Sequence, residues 1–138
     1  MLLLLTLECL GGIIGLTVGV NGAAAPPAVP QAFVWKDLAS NSEVLATWNP
    51  GGYGAITLES CVWNVPNLTQ ALCFEFEGDN AGPPNLFQVR EDWRKIHREF
   101  PNAKIVASTY DSWFAQLATV QENLPIVTDE VRRFEVKR

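Results

Sequence analysis

Between residues 70 and 128 the apolar residues change their spacing repeatedly, and this alternation constrains the fold more than any other feature of the chain. Gln70–Glu77, QALCFEFE, sets Leu72, Phe74 and Phe76 against Cys73, Glu75 and Glu77, the alternation of a half-buried strand. Gly78-Asp79-Asn80-Ala81-Gly82-Pro83-Pro84 breaks that pattern. Leu86, Val89, Trp93, Ile96 and Phe100 then recur at steps of 3, 4, 3 and 4, one apolar stripe along a helix that Pro101 and Asn102 end. Lys104–Ala107, KIVA, predicts a short strand. Ser108 with Asp111 three residues on resembles a capping box, opening a helix that buries Trp113 or Phe114, then Leu117 and Val120. Pro125-Ile126-Val127 begins another strand. Strand, helix, strand, helix, strand predicts an α/β domain with a parallel sheet or barrel.

The first half reads differently. Residues 21–31, NGAAAPPAVPQ, are too rich in proline for a helix or a central strand. Ala32–Trp35 and Glu43–Trp48 are strand candidates on either side of a turn over Lys36–Ser42. Asn49-Pro50-Gly51-Gly52-Tyr53-Gly54 reads as a flexible loop, and Ala55–Leu58 as a third strand. Residues 59–69 are irregular and carry the sequon Asn67-Leu68-Thr69, which matters if the chain is secreted. Residues 1–20 are almost wholly apolar, and three readings fit them: a signal peptide without the usual basic start, a membrane helix interrupted by glycines and Glu8, or a buried strand over Ile13–Val20.

Composition narrows the chemistry. Of the 138 residues 48% are apolar and 18% charged, which is globular, and one domain accounts for the length. A net charge of −5 repels a phosphate backbone, so nucleic acid is not an expected partner. Cys9, Cys61 and Cys73 match no zinc or redox spacing; being odd in number they allow at most one internal disulfide, and they read as buried thiols. With a single histidine besides, no metal site and no cofactor are expected.

In α/β folds the loops after the carboxyl ends of strands carry the site. Asp79 and Asn80 fall in such a loop, between glycines that let a backbone approach closely. Asp79 could serve there as a general acid or base, although both residues also suit a plain turn. Glu75 and Glu77 share a strand face and read as a polar surface or as partners for a basic residue. His97 lies beside the apolar stripe and reads as a surface residue. Trp35 and Trp48 read as core, whereas Tyr53, among glycines, is the better candidate for stacking on a sugar ring.

Taken together, VGVNGAAAPPAVPQAFVW, NPGGYG, FEGDNAGPP, IVASTYDSWFAQL and ENLPIVTDE resemble successive segments of the catalytic domain of family 38 glycoside hydrolases, the retaining α-mannosidases, in an uncharacterised fungal and bacterial subgroup. The resemblance covers roughly residues 17–130. It implies a partial parallel β/α barrel-like sheet with a loop-rich first half, Asp79 as acid/base, and Asn80 and Tyr53 as substrate contacts. It leaves residues 1–16 as an apolar segment and residues 131–138 as a basic tail. That family's His-x-Asp zinc motif and nucleophilic aspartate have no counterpart, and both ends read as truncated.

The expected function is therefore a fragment of an α-mannosidase-like domain, inactive alone because nucleophile and zinc ligands are missing. The alternatives are a non-catalytic α/β module that binds a sugar or a protein partner, and a secreted or membrane-anchored structural protein. Carbohydrate is the expected ligand. The compartment follows residues 1–20: secreted or anchored if they act as a signal or anchor, cytoplasmic otherwise.

Overall fold

A computed structural model describes residues 11–19, 28–49, 61–74 and 82–128. Strand β1 (Gly15–Gly19), β2 (Ala32–Lys36), β3 (Glu43–Asn49) and β4 (Ile126–Val127) form an open four-stranded sheet in the order β1-β3-β2-β4. Helices α1 (Leu86–Glu99) and α2 (Tyr110–Ala118) follow the hairpin, and a turn of 3₁₀ helix at Gln121–Asn123 leads into β4.

The centre of the sheet is the β2–β3 hairpin. Its residues alternate between two apolar faces, as a strand pleat requires. Ala32, Val34 and Leu45 point one way and pack with Trp113, Phe114, Leu117, Val120 and Leu124 of α2 and the segment after it. Phe33, Trp35, Val44, Ala46 and Trp48 point the other way, with Leu16 and Val18 of β1 beside them. Trp35 and Trp48 are buried, as expected for core residues. The turn is held by Asp37, itself buried, whose carboxylate accepts from Ala39 N at 3.0 Å, Ser40 N at 3.2 Å and Ser40 Oγ at 2.6 Å.

The α/β class is as expected, but the pairing is mixed rather than parallel and no barrel is formed by the described residues. β2 runs antiparallel to β3, while β1 runs parallel to β3 and β4 parallel to β2. The reason is local: a short turn can only join antiparallel neighbours, and Lys36–Ser42 is short.

Other local expectations also change. Among the described residues of Gln70–Glu77, Leu72 alone makes a ladder contact, a single bridge to Val62; Glu75, Phe76 and Glu77 lie outside the described residues. Lys104–Ala107 is irregular with Val106 exposed, because the open side of β2 is taken by Ile126-Val127. Asn49 is not loop but the last residue of β3, paired with Gly19. The strand expected at Ala55–Leu58 lies outside the described residues.

The helices form as expected, with different ends. α1 starts in a capping box the sequence reading did not single out. Asn85 Oδ1 accepts from Phe87 N and Gln88 N, and Gln88 Oε1 accepts from Asn85 N at 2.8 Å. α2 is capped by Thr109 rather than Ser108: Thr109 Oγ1 accepts from Ser112 N at 3.3 Å, while Ser108 Oγ donates to the Thr109 carbonyl. The stripe on α1 does not enter the core. Leu86, Val89 and Trp93 are exposed, Ile96 is half-buried, and no described residue of the helix is fully buried.

The cysteines are not all free thiols. Cys61 and Cys73 form a disulfide, with the Val62–Leu72 bridge immediately inside it; Cys9 lies outside the described residues. Gln31 ties this segment to the sheet. Its Oε1 accepts from Trp63 N and Asn64 N, its Nε2 donates to the Cys61 carbonyl, and its own carbonyl accepts from Trp48 N at 2.8 Å.

Of the strand expected over Ile13–Val20, Gly15–Gly19 forms, half-buried along its length; residues 1–10, on which the signal and membrane readings rest, lie outside the described residues. No helix among the described residues is long and apolar enough to cross a membrane.

Gly15 is where β1 meets the second layer. A Cβ there would overlap the Phe114 ring, whereas one at Gly82 would meet nothing. Gly15→Ala is expected to lower unfolding free energy by about 1–3 kcal/mol in urea melts, through overpacking against a rigid ring. Gly82→Ala should change it by less than about 0.5 kcal/mol. Equal effects at the two positions would contradict this packing.

Candidate functional site

The sequence GLTVG of β1 determines where an open space can exist. Strand alternation sends Leu16 and Val18 to the face they share with Trp48, and leaves Gly15, Thr17 and Gly19 on the face toward α2. Two of those three lack side chains, so the sheet is bare there. The result is a cleft of about 610 Å³ between β1 and the start of α2.

Its floor is Thr17, with Asn49 of β3 beside it. Thr17 Oγ1 and the fully buried Thr47 hydroxyl share a hydrogen bond of 3.1 Å across the parallel pair. The walls are Phe114, Tyr110 and Asp111 from α2, and Phe74 just beyond the disulfide. The Phe74 and Tyr110 rings lie 5.4 Å apart at a tilt of 44°, an ordinary attractive aromatic geometry. Partial burial pushes the Tyr110 phenol above its usual range, so at neutral pH it is an uncharged hydroxyl, able both to donate and to accept.

Each element places its side chain for a local reason. The Thr109 cap fixes the first turn of α2, so Tyr110 and Asp111 are held at the rim. Asp111 in that first turn also complements the positive end of the helix dipole. The Cys61–Cys73 bond and the Val62–Leu72 bridge anchor the chain immediately before Phe74.

Chemically this is an apolar trough with aromatic walls, neutral polar groups and one carboxylate among the described residues. A retaining glycosidase needs two carboxylates about 5 Å apart. No group of three or more potential metal ligands occurs among the described residues.

Asp79, Asn80 and Tyr53, the residues expected to act on substrate, all lie outside the described residues. His97 is on the exposed surface of α1, where Nδ1 donates to the Trp93 carbonyl at 2.7 Å and the ring leans on Trp93. It does not line the cleft. The shallow hollow around His97 is lined, among the described residues, by Trp93, Arg94, His97 and Arg98 of one helix.

Sequence reasoning missed Thr17, Asn49, Phe74, Tyr110 and Asp111. A signal was present: glycine, threonine and glycine alternate along one face of 15–19. It could be used only once that segment was known to be a strand facing α2.

No family model, curated protein or solved structure matches the chain.

The Thr17–Thr47 bond yields a test of the floor. Thr17→Val should cost about 1–3 kcal/mol, because the buried Thr47 hydroxyl loses its partner. The double change Thr17→Val with Thr47→Val should recover most of that loss, since no polar atom is then stranded. Additive losses in denaturant titrations would show that the pair is not coupled.

Proposed function

We propose that the chain is a glycoside-hydrolase-like α/β module that binds carbohydrate in the cleft between β1 and α2 and does not cleave it. The observation that carries this reading is the Phe74–Tyr110 ring pair at the rim of a trough floored by Gly15, Thr17 and Gly19. A sugar ring offers one apolar face, which stacks on aromatic carbon, and an edge of hydroxyls. Thr17, Asn49, Asp111 and the Tyr110 phenol provide the complementary donors and acceptors.

The expectation of no turnover rests on the described lining of the cleft, in which Asp111 is the one carboxylate. One carboxylate can protonate a leaving oxygen, but general acid catalysis alone is worth only about 10²–10⁴ in rate. Enzymes commonly reach accelerations of about 10⁶–10¹⁷, which a second attacking or stabilising group must help to provide.

Kinship with the family 38 α-mannosidases rests on the sequence runs quoted above. On that kinship the chain is a piece of such a domain, with Asp79 in the acid/base position and Asn80 and Tyr53 contacting sugar. The antiparallel β2–β3 pair favours a module with its own open sheet over a slice of a parallel barrel.

The test is titration of the full chain with mannose oligosaccharides, followed by NMR or calorimetry. Binding is expected in the wild type. Tyr110→Ala should weaken it about tenfold, the effect of losing roughly 1.4 kcal/mol of stacking and hydrogen bonding. Aryl mannosides should not be hydrolysed, with or without Asp79→Asn. Hydrolysis that Asp79→Asn abolishes, or binding indifferent to Tyr110→Ala, overturns the reading.

A further inference from the structure

The disulfide and the sequon belong to one segment. Cys61 and Cys73, 12 residues apart in sequence, close a loop, and Val62 and Leu72 pair just inside it through bonds of 2.8 and 2.9 Å. At the far end of that loop Leu68 N donates to the Val65 carbonyl at 3.2 Å. Pro66 and Asn67 are the central residues of this turn, and Asn67 has φ of +61°. Proline at the first central position and a positive φ at the second make it a type II turn, and asparagine tolerates that conformation better than other side chains except glycine. Asn67 and Thr69 are exposed, while Leu68 between them is half-buried and packs against the core. The fold thus holds the middle of the sequon down and leaves its acceptor and its hydroxyl in solvent.

From this arrangement we propose that Asn67 is a site of N-linked glycosylation. Two independent observations meet here. An Asn-Leu-Thr triplet satisfies the acceptor rule and stands on a surface turn. The same segment is closed by a disulfide, a bond that forms and persists in oxidising compartments such as the endoplasmic reticulum lumen.

Both steps balance. The two thiols give up two protons and two electrons to a disulfide-donating oxidant, which becomes a dithiol. In glycan transfer the Asn67 amide nitrogen attacks the anomeric carbon of a lipid-diphosphate-linked oligosaccharide. A C–N bond forms, the C–O bond to the diphosphate breaks, the lipid diphosphate leaves, and the amide gives one proton to a base of the transferase. No oxidation state changes in that second step.

The inference is independent of carbohydrate binding in the cleft. Its test is translation of the full chain, behind a cleavable secretion leader, in the presence of eukaryotic microsomes. Intact mass and peptide mapping are read before and after an amide-cleaving glycosidase. One glycan's mass is expected, located on Asn67 and removed by the enzyme. Thr69→Ala should abolish it while leaving the Asn67 turn residue in place, and Thr69→Ser should retain it. A chain inside the microsomes with the Cys61–Cys73 bond formed and Asn67 unmodified overturns the proposal. So does a glycan that persists in Thr69→Ala.

Discussion

The register of the β2–β3 hairpin is the constraint on which the rest depends. A slip of one residue would exchange the two faces of both strands, because side chains alternate. Here each face meets a different set of partners: Ala32, Val34 and Leu45 meet α2, and Phe33, Trp35, Val44, Ala46 and Trp48 meet the side chains of Leu16 and Val18. Asp37 prevents the slip. A buried carboxylate is tolerated only when hydrogen-bonded, and this one accepts from two backbone amides and a hydroxyl of the turn. At the turn end of the hairpin, Lys36 faces Glu43 at 3.8 Å, and Gln121 Nε2 donates to the same glutamate at 2.9 Å, tying the 3₁₀ turn to the strand. The exposed ion pair adds little energy, but the amide contact joins the last part of the chain to the hairpin.

What was legible in the sequence was what is locally encoded. Ala32–Trp35, Glu43–Trp48 and both helices stand within a residue or two of where periodicity put them. What was not legible depends on distant partners. QALCFEFE alternates like a strand, yet among its described residues a strand partner reaches only Leu72, since Val62 is the single residue opposite. KIVA has the composition of a strand and no vacant place beside β2. The disulfide was invisible for a related reason. Three cysteines in a chain of this length say nothing about which two approach, and the Val62–Leu72 bridge is what brings Cys61 and Cys73 together.

The cleft shows the same division between local and distant information. Its emptiness is local, because glycines at 15 and 19 remove side chains from one face of β1. Its walls are not, because Phe74 and Tyr110 are far apart in sequence and meet only through the fold. Gly15 therefore serves two ends. It admits the Phe114 ring against the sheet, which closes the core, and it leaves the space beside that ring open. A larger residue would gain strand propensity, but it would overlap the Phe114 ring and narrow the trough, so core packing and any ligand capacity both favour glycine at this one position.

The covalent link sits where non-covalent order is thinnest. Between Cys61 and Cys73 the chain has one isolated bridge, one turn and no regular element, and it touches the core through Val62, Val65 and the half-buried Leu68 and Leu72. Closing a loop of this size removes unfolded-state entropy worth about 3 kcal/mol in the chain-entropy account. That is a large share of the roughly 5–15 kcal/mol by which domains are stable. α1 is the opposite case: it has its own capping box and a Glu91–Arg94 pair but buries none of its described residues fully. Losing α1's capping would fray a helix that contributes little to the core. Reducing the disulfide would loosen the segment that carries Gln31's partners and holds Phe74 against Tyr110, so the cleft would lose a wall before the sheet lost its register.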